Sequence, residues 1–335
     1  MSEYFSLALG VGTQNKAGDW LEVFYPQPVL HPASSMVAVI AREIAYSGGN
    51  QAIALTSQQC AVLGKTLTEA GFAELGALAE QFATSTQPLV LTILQTDEAP
   101  TTTPGAYLKL HLLSHRLVTP QQVVLAGLFP LLPNVAWTDE GAIDLTELPE
   151  RQLAARLQGR TLHIHSIDKF PIMANYVVPS DVRIADTARV RLGAYIGAGS
   201  TVMHEGFINF NAGTAGNSMV EGRISAGVFI GKGSDLGGGS STMGTLSGAG
   251  NVVISVGEGC LIGANAGIGI PLGDHCTVEA GLYLTAGLKV AVLDEQDKLL
   301  KVVKARDLAN QPELLFRRNS RTGAIECKAN KILTP

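Results

Sequence analysis

The sequence predicts a mixed protein: an α/β domain over residues 1–165, a solenoid of parallel β-strands over 166–291, and a short basic segment over 292–335. Three observations carry this. The first is a six-residue beat. Ile184, Val190, Ile196, Val202 and Ile208 fall at intervals of six, followed in phase by Thr214 and Val220. Four residues after most of them stands a small side chain: Ala188, Ala194, Ser200, Gly206, Ala212 and Ser218. The second is the partition of glycine. Residues 193–287 hold 24 of the 37 glycines, so this stretch obeys different rules from the rest. The third is ordinary helical and strand periodicity before residue 165, which the later part lacks.

Neither a helix, with period 3.6, nor a half-buried strand, with period 2, produces a strict six. A hexapeptide solenoid does: each hexad is one flat strand, and three hexads make one triangular coil. The aliphatic residue points into the prism, the small one fits the corner, and glycine relieves the turns. The beat shifts phase at Ile230, Leu236 and Thr242, then resumes in Val256, Ile262 and Ile268, and closes with Leu272, Val278, Leu284 and Val290. The breaks near Gly227 and Gly244–Ile254 predict short loops leaving the prism.

In the first domain, Leu89, Leu91 and Ile93 alternate with Val90 and Thr92 as a buried strand. Leu63, Leu67 and Ala70, then Leu75, Leu78 and Phe82, predict one helix capped by Thr56 or Ser57. Thr96–Gly105 reads as a surface loop, Leu148–Leu157 as a helix and Thr161–His165 as a strand. No catalytic motif stands out here. Oligomer contact or a substrate lid is the expected work of this region. After Val290 the spacing predicts a hairpin over Val292–Val303.

Composition excludes several classes. The formal net charge is −5, which argues against general nucleic-acid binding. No run approaches the roughly 18 apolar residues that a membrane span needs. The start, MSEYFSLALG, lacks the basic and apolar regions of a signal peptide. Cys60, Cys260, Cys276 and Cys327 show no zinc spacing, which fits buried free thiols in a cytoplasmic protein.

Chemistry concentrates in the second half. In Met219–Gly227, MVEGRISAG, Glu221 stands beside an inward Val220 where most hexads carry small or neutral residues. Arg223 follows two residues on. A carboxylate beside a guanidinium activates an amine or holds a carboxylated substrate; equally, it is a solvated surface pair. Glu205 is an acid in a coil with little other charge, suited to a hard cation or to an exposed turn. His204 and His275 are candidate general bases for a generic solenoid acetyltransferase, and His163 with His165 is only a weak metal signal. Gly231–Ser241 lacks the spacing of a nucleotide loop and reads as two hexads, whose glycines allow close approach of a pantetheine arm. Residues 301–321 carry six Lys or Arg against two acids, suited to coenzyme A phosphates or to a solvated face.

Together, FINFNAGTAGNSMVEGRISAG, GSDLGGGSSTMGTLSG, CLIGANAGIGIPLGD, VEAGLYLTAG, VKAR and LLFRRNS resemble the tetrahydrodipicolinate N-succinyltransferase family, in the form shared by actinobacteria and pseudomonads. The strong match spans about residues 181–323. The resemblance implies a trimeric left-handed parallel β-helix that moves the succinyl group of succinyl-coenzyme A to the amino group of ring-opened tetrahydrodipicolinate, in diaminopimelate and lysine synthesis. It implies Glu221 as the catalytic residue, written as an acyl-anhydride intermediate. It places coenzyme and substrate contacts at Arg223, Gly238, Ser241, Ala264, Glu279, Ala280, Gly287, Lys304, Arg317, Arg318, Asn319 and Ser320. No cofactor is needed for the chemistry; a structural Mg²⁺ is implied at Glu205. A second metal-binding aspartate of the family is replaced by Ala188, within IADTAR. The expected partners are succinyl-coenzyme A, tetrahydrodipicolinate and two further copies of the chain, with no nucleic acid and no membrane. The alternatives are an acetyltransferase of the same fold using His204 or His275, and a solenoid that is not an acyltransferase.

Overall fold

The computed structural model describes residues 3–244 and 252–330. The chain divides into two compact units, Met1–Leu117 with Gln122–Pro171, and Val118–Gln121 with Ile172–Pro335.

The first unit is built on an antiparallel sheet whose neighbours run Trp20–Phe24, Ser6–Gln14, Leu89–Leu94, Gln51–Leu55, with Val29–Leu30 also pairing Ser6–Gln14. Alternation sends Leu7, Leu9, Leu91 and Ile93 into one core with helices Ser34–Glu43, Ser57–Glu69 and Ala73–Phe82. The single helix expected from Leu63 to Phe82 is two helices. Gly71, at φ +90°, adopts the left-handed conformation that ends the first of them, and the Phe72 N–H turns back to Leu67 O at 2.9 Å. Thr56 caps the first helix in a reciprocal box with Gln59. The expected loop Thr96–Gly105 is cut short because helix Thr103–Ser114 starts inside it, with Thr102 as its cap. That helix is buried from Pro104 to Ser114, so its sequence has no polar face to give it a period. A smaller antiparallel sheet of Gly141–Asp144, Val135–Thr138 and Ile164–Asp168 carries helix Leu148–Leu157. The helix matches the sequence reading. The strand lies three residues later than expected from Thr161–His165, because Ile164–Asp168 is the stretch in register with Val135–Thr138.

The second unit contains the parallel β-helix. Short strands stack in parallel on three faces. One runs Arg183–Ile184, Thr201–Val202, Met219–Val220, Asp235–Leu236, Leu261–Ile262 and Thr277–Val278. The second runs Phe207–Ile208, Arg223–Ile224, Ser241–Thr242, Gly267–Ile268 and Tyr283–Leu284. The third runs Ala194–Ile196, Ala212–Thr214, Phe229–Ile230 and Ser255–Val256. The inward residues Ile196, Val202, Ile208, Val220, Ile230, Leu236, Ile262 and Leu284 are fully buried, as the beat requires. Corners use left-handed backbone: Asp181, Gly199, Asn217, Gly233, Gly259 and His275 occupy one edge in successive coils, all at positive φ.

The phase break near Gly227 is not a loop leaving the prism. It is a corner shortened by two residues: Val220 and Ile224 are both inward, four apart instead of six, and the next strand follows in register. A second short corner joins Ile268 to Leu272, which bridges Val256. Of the predicted excursion over Gly244–Ile254, residues 245–251 lie outside the described residues. Beyond the beat, strands Lys289–Leu293 and Leu299–Lys304 form the expected hairpin. Strand Leu314–Arg318 then returns to lie parallel on Thr277–Val278, adding one more rung from the C-terminal segment.

Candidate active site

The shortened corner fixes the position of Glu221, the candidate catalytic residue. Removing two residues leaves only Glu221 and Gly222 between inward Val220 and the strand Arg223–Ile224. The corner must be tight, and the rung beneath it presses close. A Cβ on Gly222 would lie 2.1 Å from Ser240 Oγ and 2.5 Å from Ser240 O. Glu221 therefore projects from a backbone with little freedom, and its side chain is half-buried.

Three of the expected contact residues, Gly238, Ala264 and Ala280, fall in order along the same edge. Gly239 N–H donates to Glu221 O, Asn265 N–H to Gly238 O at 2.9 Å, and Gly281 N–H to Ala264 O at 2.8 Å. Glu221, Gly238, Ala264 and Ala280 are thus successive corners of one edge. Three of the four have no side chain beyond a methyl, so the edge below the carboxylate is bare backbone. A Cβ on Gly238 would stand 3.6 Å from Glu221 Oε2, so the glycine keeps the space beside the carboxylate open.

Arg223 and Ser241 occupy facing positions on adjacent rungs of the neighbouring face. The sequence suggested a Glu221–Arg223 pair. The structure gives Arg223 a different partner: its Nη2 donates to Ser241 Oγ at 2.6 Å. Residues two apart around a turn this tight leave the prism on different sides of the corner. Below Ser241, the Tyr283 ring lies against Gly267, where a Cβ would meet it at 2.4 Å. Sequence reasoning missed Tyr283, although a half-exposed aromatic in an outward hexad position was the available signal.

At the lower end of the edge, Glu279 Oε2 accepts the Arg318 N–H at 2.6 Å, docking Arg317–Ser320 onto the prism. Gly287 and Lys304 sit where strands Lys289–Leu293 and Leu299–Lys304 meet, with Ala305 N–H on Leu288 O and Arg306 N–H on Ala286 O. The basic tail is less free than its composition suggests. Arg317 donates to Glu326 and to Asp297, and Lys328 also donates to Asp297. Those cations, Lys328 foremost, hold the Asp297 carboxyl below its usual range.

The remaining candidates lie elsewhere. His204 and Glu205 are exposed at a corner of an upper coil, where the Glu205 carbonyl accepts from Arg189. His275 is exposed in a left-handed corner, its ring stacked on Gly259 of the coil above, which is a turn-forming role. Among the described residues no group of three or more His, Cys, Asp or Glu is arranged to hold a metal ion. Nor is any helix among them long and apolar enough to cross a membrane.

The three-faced parallel β-helix is that of a hexapeptide-repeat protein, and residues 253–286 match the family described as hexapeptide repeat of succinyl-transferase. Residues 132–171 match tetrahydrodipicolinate N-succinyltransferase middle. The chain is 68% identical over 327 residues to the 2,3,4,5-tetrahydropyridine-2,6-dicarboxylate N-succinyltransferase of Pseudomonas paraeruginosa, covering 98% of this chain and 95% of that one. It is 58% identical over 328 residues to the Vibrio cholerae enzyme of the same name, covering 98% and 96%. A Campylobacter jejuni crystal structure, provisionally described as a 2,3,4,5-tetrahydropyridine-2-carboxylate N-succinyltransferase, superimposes with a TM-score of 0.89 at 30% identity, over 99% of this chain and 93% of the other. The chain belongs to the tetrahydropyridine-dicarboxylate N-succinyltransferase family.

Proposed function

We propose that this chain transfers the succinyl group of succinyl-coenzyme A to the amino group of ring-opened tetrahydrodipicolinate, in diaminopimelate and lysine synthesis. The observation that carries the reading is the single edge on which Glu221 stands above Gly238, Ala264 and Ala280. The thioester lies along this edge with its carbonyl beside Glu221. The amine nitrogen attacks the carbonyl carbon, the C–S bond breaks, and coenzyme A leaves as the thiol. Glu221 has two roles open to its chemistry. As a base it takes the ammonium proton during attack. As a nucleophile it first displaces coenzyme A to give a mixed anhydride, which the amine then opens. Intersecting initial-rate plots select the base and parallel plots the anhydride. Arg223, held by Ser241, is a cation on the adjacent face for a carboxylate of succinate or of the acceptor.

The test is release of free coenzyme A from succinyl- against acetyl-coenzyme A in the presence of acceptor. Preference for the succinyl donor supports the reading. Preference for acetyl would favour the acetyltransferase alternative.

The same reading includes a left-handed coil, a cytoplasmic location and a homotrimer, with clefts between neighbouring prisms enclosing the edge. Magnesium at Glu205 then requires carboxylates from three copies meeting at an axis, where a hard cation relieves their repulsion. Light scattering should give three times 35.1 kDa. Chelation should lower the melting temperature more than the turnover.

A further inference from the structure

The Arg317–Ser320 block is organised by a residue outside it. Strands Leu314–Arg318 and Ile325–Ala329 form an antiparallel hairpin in which Arg317 stands opposite Glu326. Glu326 is only 7% exposed. Both of its oxygens are engaged: Oε2 accepts from Arg317 Nε at 2.9 Å, and Oε1 from Asn319 Nδ2 at 2.6 Å. Asn319 passes the constraint on. Its Oδ1 accepts the N–H groups of Arg321 at 2.9 Å and Thr322 at 3.0 Å, and its backbone closes the turn with Ala324 and Gly323.

The consequence is a division of labour within the block. Arg317 has its charge offset by Glu326 and Asp297, so it is not a free cation. Asn319 has its side-chain amide committed on both sides. Arg318 and Ser320 are exposed, and among the described residues the Arg318 guanidinium makes one long contact, to Gly323 O at 3.4 Å. A buried carboxylate is costly to hold without full partners, and here both partners belong to a segment expected to receive a phosphorylated carrier.

We propose that Glu326 is a positioning residue for the acyl-carrier site: it clamps Arg317 and Asn319 from within, so that the turn presents Arg318 and Ser320 to the anionic groups of coenzyme A. This rests on the reading that the Arg317–Ser320 block contacts the coenzyme.

The experiment compares Glu326→Gln with Arg318→Ala in the full-length enzyme, using succinyl-coenzyme A as the varied substrate. Gln keeps the shape but can accept from only one of the two donors. Glu326→Gln is expected to raise KM for succinyl-coenzyme A about tenfold, with kcat and the acceptor KM within about twofold. Arg318→Ala should raise the same KM. If Arg318→Ala raises it and Glu326→Gln does not, the positioning role is overturned while the coenzyme reading stands. If Arg318→Ala leaves KM unchanged, the coenzyme reading fails and takes the proposal with it. Should Glu326→Gln not fold, Arg317→Gln breaks the clamp from its exposed side. It should raise KM without changing the dependence of KM on salt; a reduced salt dependence would mean that Arg317 meets the phosphates itself, and would overturn the clamp.

Discussion

Arg223 reaches across one rung to Ser241 Oγ at 2.6 Å and leaves the Glu221 carboxylate without an ion pair among the described residues. A carboxylate engaged by a neighbouring guanidinium is a weaker base and a weaker nucleophile. Keeping the two apart leaves each available for a different part of the substrate.

Glu221→Gln keeps the size of the side chain and removes its charge. Turnover should fall by about 10²–10⁴-fold with the far-ultraviolet circular dichroism unchanged. Near-normal turnover would remove Glu221 from the chemistry.

The short corner should tolerate no side chain at Gly222, since a Cβ there meets Ser240 at 2.1 Å. Gly222→Ala is expected to cost about 1–3 kcal/mol in urea unfolding and to reduce kcat by moving Glu221. Unchanged stability and activity would mean that the corner is looser than described.

Arg318 is freer than Arg317, which is paired with Asp297 and Glu326. The log–log slope of KM for succinyl-coenzyme A against salt should flatten in Arg318→Ala and stay as in wild type in Arg306→Ala if only the docked turn meets phosphate. Equal flattening in both would spread the contact over the whole tail.

The first unit should be acid-sensitive. His111 is buried, its Nδ1 facing Tyr107 O at 2.8 Å and its Nε2 accepting the Tyr25 N–H at 3.2 Å. Burial lowers its pKa to about 3 from the ordinary 6.5. The unfolded chain therefore takes up a proton that the fold excludes. Stability is complete above about pH 6.5 and falls by about 1.4 kcal/mol per pH unit as pH drops toward 3. His115, also lowered by burial, acts in the same direction. Trp20 and Trp137 both lie in this unit and report its unfolding by fluorescence. His111→Gln should lower stability near neutrality and flatten the acid slope; an identical slope would clear His111 of the effect.

The solenoid could be read from residues because its geometry repeats: the same inward position and the same narrow corner recur every six residues, so chemistry and period coincide. The short corner was harder to place. A two-residue contraction after Val220 becomes visible only when the beat reappears at Ile230, and Gly227 lay between as a decoy. Helix Thr103–Ser114 was unreadable because a helix buried on all sides has no contrast between faces. Local spacing put Arg223 with Glu221, yet its partner Ser241 stands 18 residues away on the next rung. Composition gave the tail its charge, but Asp297 and Glu326, which offset Arg317, come from a hairpin turn and from another strand, so only the folded arrangement shows how much of that charge is spent.

The rung that Leu314–Arg318 lays on Thr277–Val278 has a consequence for solubility. A stack of parallel strands ends in a row of unpaired peptide groups, a template on which another molecule could add and grow a fibre. Here the row does not stop at that rung: Leu314–Arg318 is paired on its other side, antiparallel, with Ile325–Ala329, which in turn pairs Lys289–Leu293. The change of direction interrupts the six-residue register, so a second prism has no matching row to continue. The segment that brings the basic turn to the lower end of the edge also terminates the solenoid, as the capping repeats of other repeat proteins do.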